Sequence, residues 1–125
     1  MATIRPFKGF RPTPELCSKV AALPYDVMTS KEAREMVKND PYSFLHVDRA
    51  EIDLPENVDI YSKEVYEKAA SNLNKMIEDK VLIQDSKPVF YIYSLTMNGR
   101  EQIGLVVCTS IDEYLNNTIK KHEFT

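Results

Sequence analysis

An α/β (α+β) fold is predicted by three features of the 125-residue sequence: capping signals that open helices, one long amphipathic repeat, and an Asn-Gly turn between two apolar runs. The expected architecture is a mixed sheet containing a central antiparallel hairpin at about 89–96 and 101–109. Packed helices are expected at about 14–22, 30–38, 62–81 and 111–116. A single domain over 1–125 suffices at this length, and its folding removes roughly two-thirds of the unfolded surface from water.

Ile4 to Phe10 alternates in character and carries Pro6, which lacks a ladder amide, so it reads as an edge strand. Thr13-Pro14-Glu15 offers an N-cap, a proline at the first helical position and an acid in the first turn. The helix it opens buries Leu16, Val20 and Leu23 and ends at Pro24. Thr29 and Glu32 have capping-box spacing, and Ala33, Met36 and Val37 face inward on the next helix. Asn39-Asp40-Pro41 breaks that helix. Phe44, Leu45 and Val47 then suggest a strand over 43–47, followed by an acidic, exposed loop over 48–59.

The strongest helical pattern places Tyr61, Val65, Ala69, Leu73 and Ile77 at every fourth position, with Tyr66 and Met76 widening the stripe. Glu64, Glu67, Lys68, Lys75 and Asp79 form the opposite face, which reads as solvated. The hairpin turns at Asn98-Gly99, a pair that tolerates the positive φ angles of a type I′ turn. Pairing about that turn sets Tyr93 opposite Gly104, Tyr91 opposite Val106, Ile92 opposite Leu105 and Phe90 opposite Val107. Both faces are apolar near the base, so a covered position or self-association is expected. Ser110 and Glu113 repeat the capping-box spacing before a short helix, and residues 118–125 suggest a further extended segment.

The net charge of −3 argues against a chain built mainly to hold nucleic acid. Residues 1–22 nevertheless carry Arg5, Lys8, Arg11 and Lys19 against Glu15 alone, which leaves room for a local anion site. No apolar run reaches the length of a membrane span, and the start Met-Ala-Thr-Ile-Arg-Pro shows no signal-like stretch, so a cytoplasmic location is expected. Cys17 and Cys108 accordingly read as buried thiols in a reducing compartment.

Phosphate-cradling glycines are missing: Gly99 and Gly104 have a Walker-type separation, but Leu105-Val106 stands where Lys-Ser/Thr is required. The scattered His46, His122, Cys17 and Cys108 show no metal-ligand spacing, so no metal site is expected. The densest polar cluster is Lys120-Lys121-His122-Glu123. Its lysines suit a phosphate, and His122 and Glu123 are the candidate catalytic, proton-moving pair; a frayed charged terminus is the simpler alternative. Tyr25 and Asp26, between a proline stop and a capping box, and His46, between apolar neighbours, are further candidates for substrate or phosphate binding. Each also reads as an ordinary structural residue, Tyr25 packed in a turn and His46 as a half-buried strand position.

Four segments taken in order, Ile4–Thr13, Leu23-Pro-Tyr-Asp-Val27, Asn39–His46 and Ile119-Lys-Lys-His-Glu123, resemble the family called domain of unknown function 1015. The resemblance implies a longer protein of which this is an amino-terminal part. It also implies kinship with the ParB/sulfiredoxin group, whose nucleotide-binding or phosphoryl-transfer chemistry uses a later Asp-Gly-His-His-Arg-like segment that no stretch of this sequence matches. By that resemblance the leading expectation is a module contributing to nucleotide-dependent phosphoryl transfer, with a nucleotide as cofactor and the downstream chain as partner. Lys120, Lys121, His122 and Glu123, with Tyr25, Asp26 and His46, are then the site residues. The alternatives are a partition-protein-like nucleic-acid module and a structural or dimerisation module without catalysis.

Overall fold

The computed structural model describes residues 1–120. In chain order the elements are β1 (Ile4–Arg5), β2 (Phe10–Pro12), α1 (Cys17–Val20), a 3₁₀ turn (Tyr25–Val27), α2 (Ser30–Val37), α3 (Leu45–Asp48), a second 3₁₀ turn (Ala50–Asp53), α4 (Lys63–Glu78), β3 (Leu82–Gln84), β4 (Tyr91–Met97), β5 (Arg100–Val106), β6 (Cys108–Thr109) and α5 (Ile111–Leu115). The fold is α/β, as the sequence predicts, but its strands form three two-stranded sheets, β1 with β6, β2 with β3, and β4 with β5. The hairpin is therefore a sheet of its own and not the centre of a larger mixed one. The chain divides into two compact units, residues 10–83 and residues 1–9 with 84–125.

In the unit of residues 10–83, α2 begins on a complete capping box. The Thr29 hydroxyl accepts from Glu32 N, and the Glu32 carboxylate accepts from Thr29 N at 2.8 Å. Ala33 and Val37 are buried, whereas Met36, expected inward, is exposed. The helix expected over 14–22 contracts to the single turn α1. Leu16 N bonds to Thr13 O in a preceding turn, and Ala21 is already extended. Val20 is buried, but Leu23, expected in the same stripe, is exposed. A proline at 24 pushes its predecessor out of helical geometry, so the chain leaves the helix early.

The expected strand over 43–47 is instead helical. Asp40 Oδ1 accepts from Tyr42 N, Ser43 O accepts from His46 N, and α3 follows with Leu45 only 1% exposed. Phe44 and Val47 are three apart, which fits one helical turn as well as a strand, and so short an apolar run cannot decide between them. The acidic stretch after it is an exposed loop only in its later part, at residues 55–57 and 59; Ala50, Glu51 and Ile52 are instead buried in the second 3₁₀ turn. Arg34 makes that possible. Its guanidinium donates to Ile52 O at 3.1 Å, Glu51 O at 2.7 Å and Leu54 O at 2.8 Å, satisfying three carbonyls at once.

Two apolar clusters form this unit's core. One joins Val20, Met76, Val81 and Leu82, with Phe44, Val47, Leu73 and Ile77 packed around them; the other joins Ala33, Val37, Leu45 and Ile52. The α4 stripe is as expected at Val65 and Met76, while Tyr61 and Tyr66 stay exposed.

In the unit of residues 1–9 and 84–125, the hairpin has the expected register: Tyr91 pairs with Val106, Ile92 with Leu105 and Tyr93 with Gly104. Asn98 and Gly99 both take positive φ, 52° and 76°, as the type I′ turn requires. The ladder ends at Tyr91–Val106, before the expected Phe90–Val107 pair. Tyr91 anchors the amino-terminal segment. Its hydroxyl accepts from Gly9 N at 2.6 Å and donates to Asp85, and a Cβ on Gly9 would sit 2.7 Å from that oxygen. Ser110 accepts from Glu113 N at the start of α5, but the Glu113 carboxylate turns instead to Thr3, accepting from its N at 2.7 Å and its hydroxyl at 2.9 Å. Cys17 and Cys108, expected to be buried, are both free and exposed.

Replacing Arg34 by Ala removes the donors of Ile52 O and Leu54 O, while Glu51 O keeps its bond from Leu54 N, and is expected to cost about 2–3 kcal/mol in urea unfolding, because hydrogen bonds to a charged group are among the stronger ones. Glu56→Ala, which removes only the long, 88%-exposed ion pair to the same arginine, is expected to fall within about 0.5 kcal/mol. Equal losses in the two variants would disprove the carbonyl-binding role.

Hydrogen bonds from the Thr29 backbone and hydroxyl hold Glu32 below the usual Glu range, and those from Thr3 do the same for Glu113. A carboxyl depressed on folding stabilises the fold above its unfolded pKa, near 4.5, and loses that contribution as pH falls through the lower folded value. Carboxyl NMR titration should find both Glu32 and Glu113 below the ordinary Glu value of 4.5. An ordinary midpoint for either would show its hydrogen bonds to Thr29 or Thr3 to be absent in solution.

Candidate functional site

A cavity of about 620 Å³ lies along α3 and α4 within the 10–83 unit. Its apolar wall is Pro41, Tyr42, Met76 and Val81, and its polar wall includes His46, Asp53, Lys68, Asn72, Lys75 and Asp79. Lys68, Asn72, Lys75 and Asp79 sit at helical spacings of three and four, so α4 presents them as one stripe. That volume falls in the range of small-molecule sites, and an apolar wall with a few convergent polar groups is their usual make-up.

His46 is held from both sides. Its Nδ1 lies 2.8 Å from Asp53 Oδ1 and its Nε2 lies 3.1 Å from Asp40 O. Asn72 Nδ2 completes the brace by donating to His46 O at 2.6 Å and to Asp53 Oδ2 at 2.8 Å. Neither ring nitrogen can take a substrate proton without surrendering a contact. His46 therefore lines the cavity while its polar atoms serve the wall.

The cations differ among themselves. Lys75 Nζ contacts Asp79 Oδ2 at 2.7 Å, and that hydrogen bond and charge raise the Lys75 pKa. Lys68 is half-buried and has no ion-pair or hydrogen-bond partner among the described residues. Asp79 is engaged by Lys75 and Asp53 by His46 and Asn72, which leaves Lys68 as the cation of this wall without a partner among the described residues.

Of the candidate site residues that lie among the described residues, His46 alone lines this cavity. Tyr25 and Asp26 lie in the first 3₁₀ turn, exposed, with Tyr25 O accepting from Arg49 at 3.3 Å. Lys120 is exposed in the other unit. Lys121, His122 and Glu123 lie outside the described residues. Arg5 and Lys8 belong to one unit and Arg11 to the other, so the basic amino end does not fall within one compact body. Among the described residues no group of three His, Cys, Asp or Glu could hold a metal ion.

The family model described as "Protein of unknown function (DUF1015)" matches residues 4–125. The chain belongs to that family. No curated protein and no solved structure matches it. In this DUF1015 chain sequence reasoning missed Lys68, Asn72 and Lys75, because charged residues opposite an apolar stripe ordinarily face water. The signal that could have found them is the shared spacing of Lys68, Asn72, Lys75 and Asp79, which mixes an amide and two lysines along one line of the helix.

Proposed function

We propose that this chain contributes a binding module for a phosphorylated, nucleotide-class ligand to phosphoryl transfer by the intact protein. The observation that carries the reading is Lys68, a cation with no partner among the described residues on the wall of a cavity large enough for a nucleotide. The apolar wall of Pro41, Tyr42 and Met76 suits a planar base, and Lys68 suits a phosphate. Lys75, charged and tied to Asp79, lies about two helical turns further along α4 and suits a second phosphate group. The chemical step is assigned to groups elsewhere, because His46 has both nitrogens engaged; His122 and Glu123, with Lys120 and Lys121, are the proposed reacting set. The two exposed free cysteines support a reducing, cytoplasmic setting.

Calorimetric titration of the full chain with ATP, ADP and inorganic phosphate tests the assignment. Lys68→Gln is expected to weaken nucleotide binding about tenfold, the equivalent of roughly 1.4 kcal/mol, without changing thermal stability. Wild-type affinity in that variant, or no saturable binding of any of the three, overturns it.

A second reading, association through the hairpin, is supported by Ile92, Tyr93, Ile103 and Leu105, all more than half exposed. Sedimentation velocity should find a concentration-dependent oligomer that Ile103→Lys abolishes. A monomer throughout the micromolar range removes this reading.

A further inference from the structure

A second cavity of the 10–83 unit has a different character from the one along Lys68. It encloses about 330 Å³ and is lined by Tyr25, Tyr61 and Tyr66, by Val65 and Ala69 from α4, and by Asp48 at the end of α3. The three tyrosine side chains are exposed at 59%, 76% and 62%, and their hydroxyls make no hydrogen bond among the described residues. Tyr61 and Tyr66 flank the start of α4, and Tyr25 joins them from the first 3₁₀ turn, far away in the chain.

The charges of the wall decide what such a cavity would accept. Arg49 also lines it, but its guanidinium is already engaged. Nε lies 3.0 Å from the buried Glu51 Oε1 as an ion pair, Nη2 donates to Ser30 Oγ at 2.9 Å, and Nη1 donates to Tyr25 O at 3.3 Å. Glu51 in turn accepts from Ser30 Oγ at 2.8 Å. Asp48 has no counter-ion or hydrogen-bond donor among the described residues. The net demand of the wall is therefore for a cation.

We propose that this tyrosine-lined cavity binds a small organic cation of the alkylammonium class, with Asp48 as its counter-ion. Aromatic faces attract such cations through the ring quadrupole, and they do so most effectively for ammonium groups that carry alkyl substituents and are weakly hydrated. The apolar surface of Val65 and Ala69 receives the alkyl groups. Partial burial already pushes the Asp48 carboxyl above the usual Asp range, as an unpaired carboxylate beside apolar surface should be. The arginine, fixed by Glu51, Ser30 and the Tyr25 carbonyl, holds the first 3₁₀ turn against α3 and so positions the Tyr25 ring.

Titration of the full chain with tetramethylammonium chloride, followed by tyrosine fluorescence at constant chloride, tests the proposal. Saturable binding in the millimolar range is expected, with about tenfold weakening in Asp48→Asn and a loss of similar size in Tyr66→Ala. Both positions are exposed, and equal melting temperatures for the variants and wild type confirm intact folds. Sodium chloride producing the same response, Asp48→Asn retaining wild-type affinity, or inorganic phosphate competing for the cavity through Arg49 would each overturn it.

Discussion

The fold of residues 10–83 depends on one arrangement: the Arg34 guanidinium set among the carbonyls of Glu51, Ile52 and Leu54. Glu51 O also accepts from Leu54 N, but Ile52 O and Leu54 O look to Arg34 for their donor, and burying such carbonyls unpaired is costly. Arg34 projects from α2, which places five donors beside those oxygens and lets Ala50 and Ile52 enter the core. Ile52 then packs against Ala33, Val37 and Leu45. The second apolar cluster thus exists because a cation satisfies the backbone that carries it.

The same logic operates at Glu51, a carboxylate only 5% exposed. A buried charge without partners is costly; here Arg49 and Ser30 surround it. Arg49 also reaches the Tyr25 carbonyl, so the two 3₁₀ turns are joined through one side chain. Asp53, at the end of the second turn, faces the other way and braces His46 with Asn72. Two acids two residues apart therefore serve different walls, and the turn between them divides the two cavities.

Local signals in the sequence read well where the physics is local. The Thr29–Glu32 box, the Asn98-Gly99 turn and the hairpin register need only neighbours, and all three hold. Glu113 shows the limit: its spacing to Ser110 predicts a reciprocal cap, but the carboxylate finds two donors on Thr3, 110 residues away in the chain. Residues 43–53 fail for the same reason. Their acids look like solvent-exposed loop chemistry until Arg34 and Arg49, whose destinations no periodicity reveals, supply partners. Of the candidate site, His46 was legible as a residue type, but not its role, because that role depends on Asp53 and Asn72 arriving from elsewhere. The exposure of Cys17 and Cys108 was misread because abundance inside proteins was taken as a guide to two residues on short, peripheral elements.

Helix α4 explains how one small unit can carry two dissimilar cavities. A two-faced helix has an apolar stripe and a solvated one, yet α4 has three lines along its surface. Val65, Leu73 and Met76 enter the core; Lys68, Asn72, Lys75 and Asp79 form the wall of the larger cavity; Tyr66 and Ala69, with Tyr61 just before the helix, border the smaller. At 100° per residue, Lys68 and Ala69 are neighbours in sequence but face well apart around the axis. A lysine-bearing polar wall and a tyrosine-lined wall can therefore be separated by the helix body itself, without any insertion in the chain. The apolar stripe fixes the rotation of α4 by burying Met76 and Val65, so the placement of Lys68 and of the tyrosines follows from core packing. Changes to the core at Met76 would turn both walls together, whereas changes at Lys68 or Tyr66 act on one wall alone.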